Sequence, residues 1–219
     1  MITSYIVGMD EALPPSGPGP FELSGGDLCL DFANTWGDRG RPETDDLQTY
    51  SRLLVFARQT ALVDPAGLEA LVSRAQAEPS AAQAAIQAAR QLREALYGIF
   101  SAQAQDQAVP VQDLQRLNEA LREALPNLRL GLQDKALVWH WQREGTVLTS
   151  PLWPIARAAA DLLTAASPAP VRECGGTQCT WLFLDRSRGR SRRWCSMASC
   201  GNRAKARRHY HRRNQIPKA

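Results

Sequence analysis

Four of the five cysteines lie close together in the last quarter of the sequence, as two pairs with the same spacing. Cys174 and Cys179 form one C-x4-C pair, and Cys195 and Cys200 form a second after fifteen intervening residues. A tetrahedral zinc site takes thiolates from two tight turns, so this spacing predicts one structural Zn²⁺ bound by all four cysteines. Four protein ligands leave no open coordination position, which argues against metal catalysis there.

Other uses of these cysteines fit the sequence less well. Two disulfides would require an oxidising compartment and would leave Cys29 unpaired. A thioredoxin-like redox site normally has a C-x-x-C motif, which the sequence does not contain. Replacement of one cysteine ligand by His209 or His211 stays open, although both follow the second pair and are expected on a helix surface.

The residues between and after the cysteine pairs indicate how such a site would be built. Residues 181–185 and 192–195 have the pattern of two short strands, which the turn-prone residues around Gly189 would join in a hairpin. Helix-forming residues follow Cys200 without a proline until Pro217, so we expect the last ligand in the first turn of a helix. Turn, hairpin and helix in this order are the elements of a treble-clef zinc finger.

These residues also resemble a known family. The tetrad Cys200-Gly201-Asn202-Arg203, together with the strings WLFLD at 181–185 and SRRWCSM at 191–197, resembles the CGNR zinc finger of bacterial proteins. The resemblance covers the region from about residue 171 onward. It implies a treble-clef module that binds DNA at the end of stress-induced transcription regulators, and it does not identify the DNA sequence.

Charge is distributed very unevenly along the chain. Residues 171–219 contain 13 Lys and Arg against 2 Asp and Glu, whereas residues 1–170 contain 13 against 20. A concentrated basic surface gains affinity for nucleic acid by releasing counterions from phosphates, although it can also be merely solvated or pair with the acidic part of the chain. We predict nucleic-acid contacts, to DNA more readily than to RNA, from Arg188, Arg190, Arg192, Arg193, Asn202, Arg203, Lys205, Arg207, Arg208 and Arg212.

The N-terminal residues 1–20 are rich in proline and glycine, so we expect a disordered leader. It lacks the basic and apolar regions of a signal peptide, and no later segment reaches the roughly 20 apolar residues that a membrane span requires. We therefore expect a cytoplasmic protein without a membrane partner, in which the thiols stay reduced.

Residues 21–166 combine strand and helix patterns. Leu28, Leu30 and Phe32 alternate with other residues and predict a strand, and alternation at 128–132 and 136–141 predicts strands that could pair with it. Helical patterns begin near Thr44, at Pro65, at Ser80, at Pro110 and at Pro151. The chain is thus predicted to be α+β: a mostly helical N-terminal domain with a small antiparallel sheet at 21–166, a linker at 167–170, and a treble-clef-like zinc finger with a basic C-terminal helix at 171–219.

The start of this domain carries a second resemblance. Leu30, Asp31, Phe32, Asn34 and Thr35, after a Gly-Gly turn, resemble the opening signature of the ABATE domain, which precedes the CGNR finger in that family. The resemblance implies a sensor or regulatory module. Polar groups at a strand end can hold a ligand, so Asp31, Asn34 and Thr35 are candidate ligand-binding residues, although such groups often only cap a helix or fix a loop.

Three functions follow from these observations. The first is a DNA-binding transcription regulator with a small-molecule effector and, because one short finger offers few base contacts, a homodimeric form. The second is an RNA- or ribosome-associated protein, in which Trp181, Trp194 and Tyr210 would stack on bases. The third and least favoured is an enzyme with its site in the N-terminal domain, because the sequence contains no phosphate loop, nucleophile elbow or HExxH motif.

Overall fold

The computed structural model describes residues 19–143 and 145–214, with the side chains of residues 211–214 excepted. Most of the expected leader, Glu144, and the side chains of His211 and Arg212 therefore lie outside the described residues. The α-helices are α1 (Leu28–Ala33), α2 (Tyr50–Gln59), α3 (Pro65–Ala77), α4 (Pro79–Ala104), α5 (Val111–Ala124), α6 (Leu152–Thr164) and α7 (Asn202–Asn214). The strands are β1 (Leu128–Gln133), β2 (Ala136–Trp141), β3 (Val171–Glu173) and β4 (Leu182–Leu184).

The predicted fold class is confirmed. Helices dominate, β1 pairs with β2, β3 pairs with β4, and both two-stranded sheets are antiparallel. The four cysteines of the C-terminal region lie together. Below, the body denotes residues 21–166 and the finger denotes residues 171–214. Within the described residues, no helix combines the length and the apolarity needed to cross a bilayer.

The long helices lie where their sequence patterns predict them. Asp64 caps α3 by accepting a hydrogen bond from the Gly67 N–H at 2.6 Å, and Pro65 occupies the first turn, where its missing N–H costs nothing. The helix expected from Thr44 begins instead at Tyr50, after a 3₁₀ turn at Pro42–Thr44, because the Thr49 side chain supplies the cap.

The strand predicted around Leu30 is wrong, because these residues form α1. The Asp27 side chain caps the helix by accepting from the Cys29 N–H at 3.2 Å. Cys29, Leu30, Phe32 and Ala33 are all buried, so α1 is surrounded by apolar groups on several sides. A six-residue segment in which four positions are buried fits a strand period and a helix period about equally, which explains the error.

The strands predicted at 128–132 and 136–141 are confirmed, whereas their pairing with residues near Leu28 is wrong. β1 pairs with β2 alone, through a two-residue turn in which Asp134 and Lys135 have φ of 49° and 68°. These angles are typical of a tight hairpin turn. Alternation puts Trp139 and Trp141 on one face of β2, but this face is not part of the core at Trp139, which is 54% exposed.

The core of the body is organised along α4, which packs on α1, α2, α3, α5 and α6. At its centre the Arg93 guanidinium is 1% exposed and binds both carboxylate oxygens of Asp45, at 2.6 and 2.9 Å. The same core includes Leu182 and Leu184 from β4 of the finger. The finger is therefore packed into the body by its own strand.

Candidate metal centre and nucleic-acid interface

The four cysteine sulfurs form a compact cluster, with all four Sγ atoms within 4.8 Å of one another. The Sγ atoms of Cys179 and Cys195 are 3.8 Å apart, and those of Cys195 and Cys200 are 3.7 Å apart. In a tetrahedron with Zn–S bonds of about 2.3 Å, neighbouring sulfurs lie about 3.8 Å apart. The cluster therefore has the dimensions of a four-thiolate zinc site.

The first two ligands lie in a tight turn whose backbone faces the sulfurs. The Cys174 Sγ accepts hydrogen bonds from the N–H groups of Gly176 at 3.4 Å and Cys195 at 3.3 Å. A Cβ at position 176 would lie 2.8 Å from the Cys200 Sγ, so only glycine leaves room for the fourth ligand there. Such outer hydrogen bonds orient thiolates and offset their charge.

The strand next to this turn does not pair as expected. The hairpin predicted between residues 181–185 and 192–195 is wrong, because β4 pairs instead with β3, which precedes the first cysteine. Residues after β4 form a loop around the buried carboxylate of Asp185. This carboxylate accepts from the Ser187 hydroxyl and N–H, from the Arg192 N–H and from the Arg172 guanidinium, which together lower its pKa.

The last ligand lies at the start of the C-terminal helix, as predicted. Ser196 caps a π-helical turn at Met197–Gly201 by accepting from the Ser199 N–H, and α7 continues directly from it. The Arg203 guanidinium donates to the Cys200 Sγ at 2.9 Å, so it stabilises a thiolate at that position. His209 is exposed and is not part of the cysteine cluster.

Crowding in the cluster shifts the pKa values of neighbouring cysteines in opposite directions. Hydrogen bonds from the side chains of Cys179 and Cys195 lower the pKa of Cys174 to about 2. The hydrogen bond to Cys174 raises the pKa of Cys179, because the cluster cannot hold several uncompensated thiolates. A divalent cation at the centre removes this conflict by balancing the negative charge of all four thiolates.

Hydrogen bonds join the finger to the body, in addition to the packing of β4 in the core of the body. The Asn34 amide makes two buried bonds to Leu182, donating to its carbonyl and accepting from its N–H, both at 2.8 Å. The Arg39 guanidinium donates to Thr180 at 3.2 Å, to Glu94 at 2.9 Å and to the Ala33 carbonyl at 2.8 Å. No sequence pattern indicated this role of Arg39, since Glu94 and Thr180 lie 55 and 141 positions away along the chain.

The three candidate ligand-binding residues lie near these hydrogen bonds between the body and the finger. Asp31 accepts from the Gly25 N–H at 2.7 Å, and burial raises its pKa to about 6. Asn34 binds Leu182 as described, and the Thr35 hydroxyl donates to the Phe32 carbonyl at 2.8 Å. Their polar atoms thus bind other parts of the chain, and a ligand role for them stays a prediction.

The predicted nucleic-acid contacts fall into two groups. Arg192 is turned inward: its guanidinium donates to the carbonyls of Trp194 and Ser24, both at 3.0 Å, and also to that of Cys195. The other predicted residues whose side chains are described are exposed, and they are Arg188, Arg190, Arg193, Asn202, Arg203, Lys205, Arg207 and Arg208.

Some of these exposed residues surround a groove of about 250 Å³ beside the first pair of cysteines. Gly175, Gly176 and Thr177 form one wall, and residues of α7 form the other, with the basic side chains Arg203, Arg207 and Arg208. The Arg207 guanidinium donates to the Thr177 hydroxyl across the groove. The groove therefore concentrates three guanidinium groups at the zinc centre.

Comparison with known protein families agrees with this geometry. Residues 26–166 match the ABATE family, whose description is "Putative stress-induced transcription regulator". This match covers more than half of the 219 residues. The chain belongs to the ABATE family. Residues 171–213 match the CGNR zinc finger, and together with the cysteine cluster this match shows one structural zinc ion.

Neither the ABATE family nor the CGNR finger is described as an enzyme. A comparison with curated proteins finds no match to this chain. The two family matches confirm the resemblances inferred from the Leu30 to Thr35 signature and from the Cys200-Gly201-Asn202-Arg203 tetrad. This chain is thus an ABATE family member that carries a CGNR zinc finger.

Proposed function

We propose that this ABATE protein is a transcription regulator whose CGNR finger binds duplex DNA and whose body acts as the regulatory domain. The observation that carries the proposal is α7. From Asn202 to Tyr210 every residue except Ala204 is exposed, and four of these residues are Lys or Arg. A helix that is polar on all sides gains little from the protein's own core, and a basic helix can bury its surface against nucleic acid.

The electrostatics support a polyanionic partner for the finger only. Residues 171–219 have an excess of Lys and Arg, 13 against 2 Asp and Glu, whereas residues 1–170 have an acidic excess, 13 against 20, and would be repelled by phosphates. At the groove, the DNA phosphates would be bound by Arg203, Arg207 and Arg208. The exposed Asn202 side chain would contact a base edge. Trp181 and Trp194 are half-buried and pack on the cysteine cluster, which disfavours base stacking as the main binding mode.

The regulatory part of the proposal rests on a cleft between body and finger. This cleft, of about 310 Å³, is lined by Asp38 and Arg41 from the body and by Trp181, Cys179 and Arg203 from the finger. A small polar molecule bound there would touch both parts, so it could shift α7 through Arg203. Asp31, Asn34 and Thr35 do not line this cleft, so their effector role would be indirect.

The test is a binding titration of zinc-loaded protein against duplex DNA from its own upstream region, scrambled duplex and structured RNA, each across a salt series. We expect zinc-dependent preference for the upstream duplex. Lys205→Ala and Arg208→Ala should each weaken binding and reduce the salt slope by about 1. Arg116→Ala, which removes an exposed arginine of the body, is the matched control and should change neither quantity.

Two results would contradict the proposal. Tighter binding to structured RNA than to any duplex would favour the RNA-associated function. Binding that is equally strong after zinc removal would show that the folded finger is not the binding element.

A further inference from the structure

The β1–β2 hairpin presents one strongly apolar face. In its register Leu128 lies opposite Trp141, Leu130 opposite Trp139 and Leu132 opposite Leu137. Directly opposed residues in an antiparallel pair point to the same side, and alternate residues along a strand do so too. All six large apolar side chains therefore share one face of the hairpin.

Only the base of this face is covered by the body. Trp141 packs against Trp153 of α6, with ring centroids 6.1 Å apart, and the Arg157 guanidinium lies 4.5 Å from the centre of the Trp139 ring. Farther out, Leu130, Leu132, Leu137 and Trp139 are 58%, 72%, 73% and 54% exposed. We call these four side chains the distal apolar face. In the described part of the chain each of them remains more than half exposed.

The opposite face of the hairpin has a mixed composition, because beside its polar side chains it holds Ala136 and the half-buried Val138. It carries Arg129 and His140, and the His140 ring occupies the space above Gly131, where a Cβ would lie 2.2 Å from the ring Cδ2. Arg129, Gln133 and His140 are exposed as well, so beyond its base the hairpin exposes polar side chains on one side and apolar side chains on the other. A sheet that lies on a core usually covers its apolar side.

The size of the distal apolar face is that of half a small interface. Three leucines and one tryptophan at these exposures offer roughly 500 Å², which is near the upper limit for a patch on a monomer. Two copies facing each other would bury about 1,000 Å², where specific protein interfaces begin. The area therefore suffices for association with a second identical face.

Each end of this face carries one acidic and one basic residue. The turn at the tip carries Asp134 and Lys135, both exposed, and the base is flanked by the Arg157–Asp161 pair, 3.3 Å apart. Each end is electrically neutral, so this face attracts no polyanion, unlike the finger. A twofold axis across the strands would place the tip of one hairpin at the base of the other, bringing Lys135 near the partner's Asp161.

We propose that the distal apolar face docks against the same face of a second copy of this chain, forming a twofold-symmetric dimer with antiparallel hairpins. The dimer would present two fingers, which would increase the contacts available to a symmetric DNA site. The proposed dimer forms without nucleic acid, so we test it on the protein alone. A negative result for the dimer would leave the proposal of DNA binding intact.

The first experiment is sedimentation velocity of the full zinc-loaded chain across the micromolar range. We expect a concentration-dependent monomer–dimer equilibrium that Leu137→Glu weakens by at least about tenfold in Kd, because a twofold axis doubles the effect of one substitution. Val111→Glu is the matched control: it changes an apolar residue that is 79% exposed at the far end of α5, and it should leave the Kd unchanged. A wild-type monomer at all concentrations, or equal effects of both variants, would overturn the proposal.

A charge exchange tests the antiparallel arrangement. Lys135→Glu and Asp161→Lys should each weaken the dimer, because each puts like charges together across the axis. The double variant should recover the wild-type Kd to within about threefold, because it exchanges the two charges. Persistent weakening in the double variant would rule out the proposed orientation.

Discussion

The body buries Phe32, Phe56 and Phe100 completely within a large apolar core, whereas the finger packs its cysteines around one buried aromatic side chain, Phe183. A core of that size can hold a helical body together by itself, and a small module with so little apolar surface needs a metal ion. The finger adds a second device: β4 inserts Leu182 and Leu184 into the body. The finger and the body are thus stabilised differently, and β4 of the finger packs in the core of the body.

From this difference we expect zinc loss to unfold one part of the finger and to leave the other part ordered. In Cys200→Ala the remaining three sulfurs cannot complete the tetrahedron, so we expect zinc occupancy to fall from one to near zero, with a loss on the order of 10 kcal/mol of binding free energy. Hydrogen exchange should then become fast in α7 and in residues 174–179. β3 and β4 should stay protected, because the body holds β4.

Cys29→Ala is the control for this experiment, because it removes the one buried cysteine of the body. We expect full zinc occupancy and a cost of about 1 kcal/mol, similar to losing one buried methylene-sized group. Full zinc occupancy in Cys200→Ala would contradict the ligand assignment. Loss of protection in β4 would show that zinc, and not the body, orders the strand.

The second prediction concerns the tie between the two parts. Asn34→Ala leaves the buried N–H and carbonyl of Leu182 without their side-chain partner, which should lower the free energy of unfolding by about 2–3 kcal/mol. Thermal unfolding measures this loss, and zinc occupancy should not change. Asn118→Ala, which removes an exposed amide on α5, should have no comparable effect. An unchanged melting temperature in Asn34→Ala would show that the tie contributes little.

The smallest expected effect is a pH dependence at the start of the body. Burial raises the pKa of Asp31 to about 6 from an ordinary value of 3.8. Below pH 3.8 the Asp31 carboxyl is protonated in both the folded and the unfolded state. Between pH 3.8 and about 6 it is protonated in the folded state only. Above pH 6 both states are ionised, so the folded protein carries the full cost of a half-buried carboxylate at neutral pH.

Asp31→Asn removes this cost and can still accept the Gly25 hydrogen bond. We expect it to raise the free energy of unfolding by about 1 kcal/mol at pH 7, after allowance for solvent screening, and to give no gain at pH 3.5. Urea unfolding at both pH values measures the difference, with Asp106→Asn as an exposed control. An equal gain at both values would contradict a titration effect.

Much of the site followed from local sequence pattern. The two C-x4-C spacings predicted the zinc centre, because each pair of ligands comes from one turn whose geometry depends on neighbouring residues. The caps and apolar stripes located α3 to α6 for the same reason. The uneven charge was visible without any structure, and it remains the main support for the proposed DNA interface.

Only the tertiary structure decided how the parts are joined. It made Leu28–Ala33 a helix because burial on several sides outweighed an ambiguous period, and it paired β4 with β3 because strand partners are chosen by distant residues. It turned Arg192 inward and gave Arg39 and Asn34 their partners in the finger. Such contacts join residues more than a hundred positions apart, and no spacing rule along the chain encodes them.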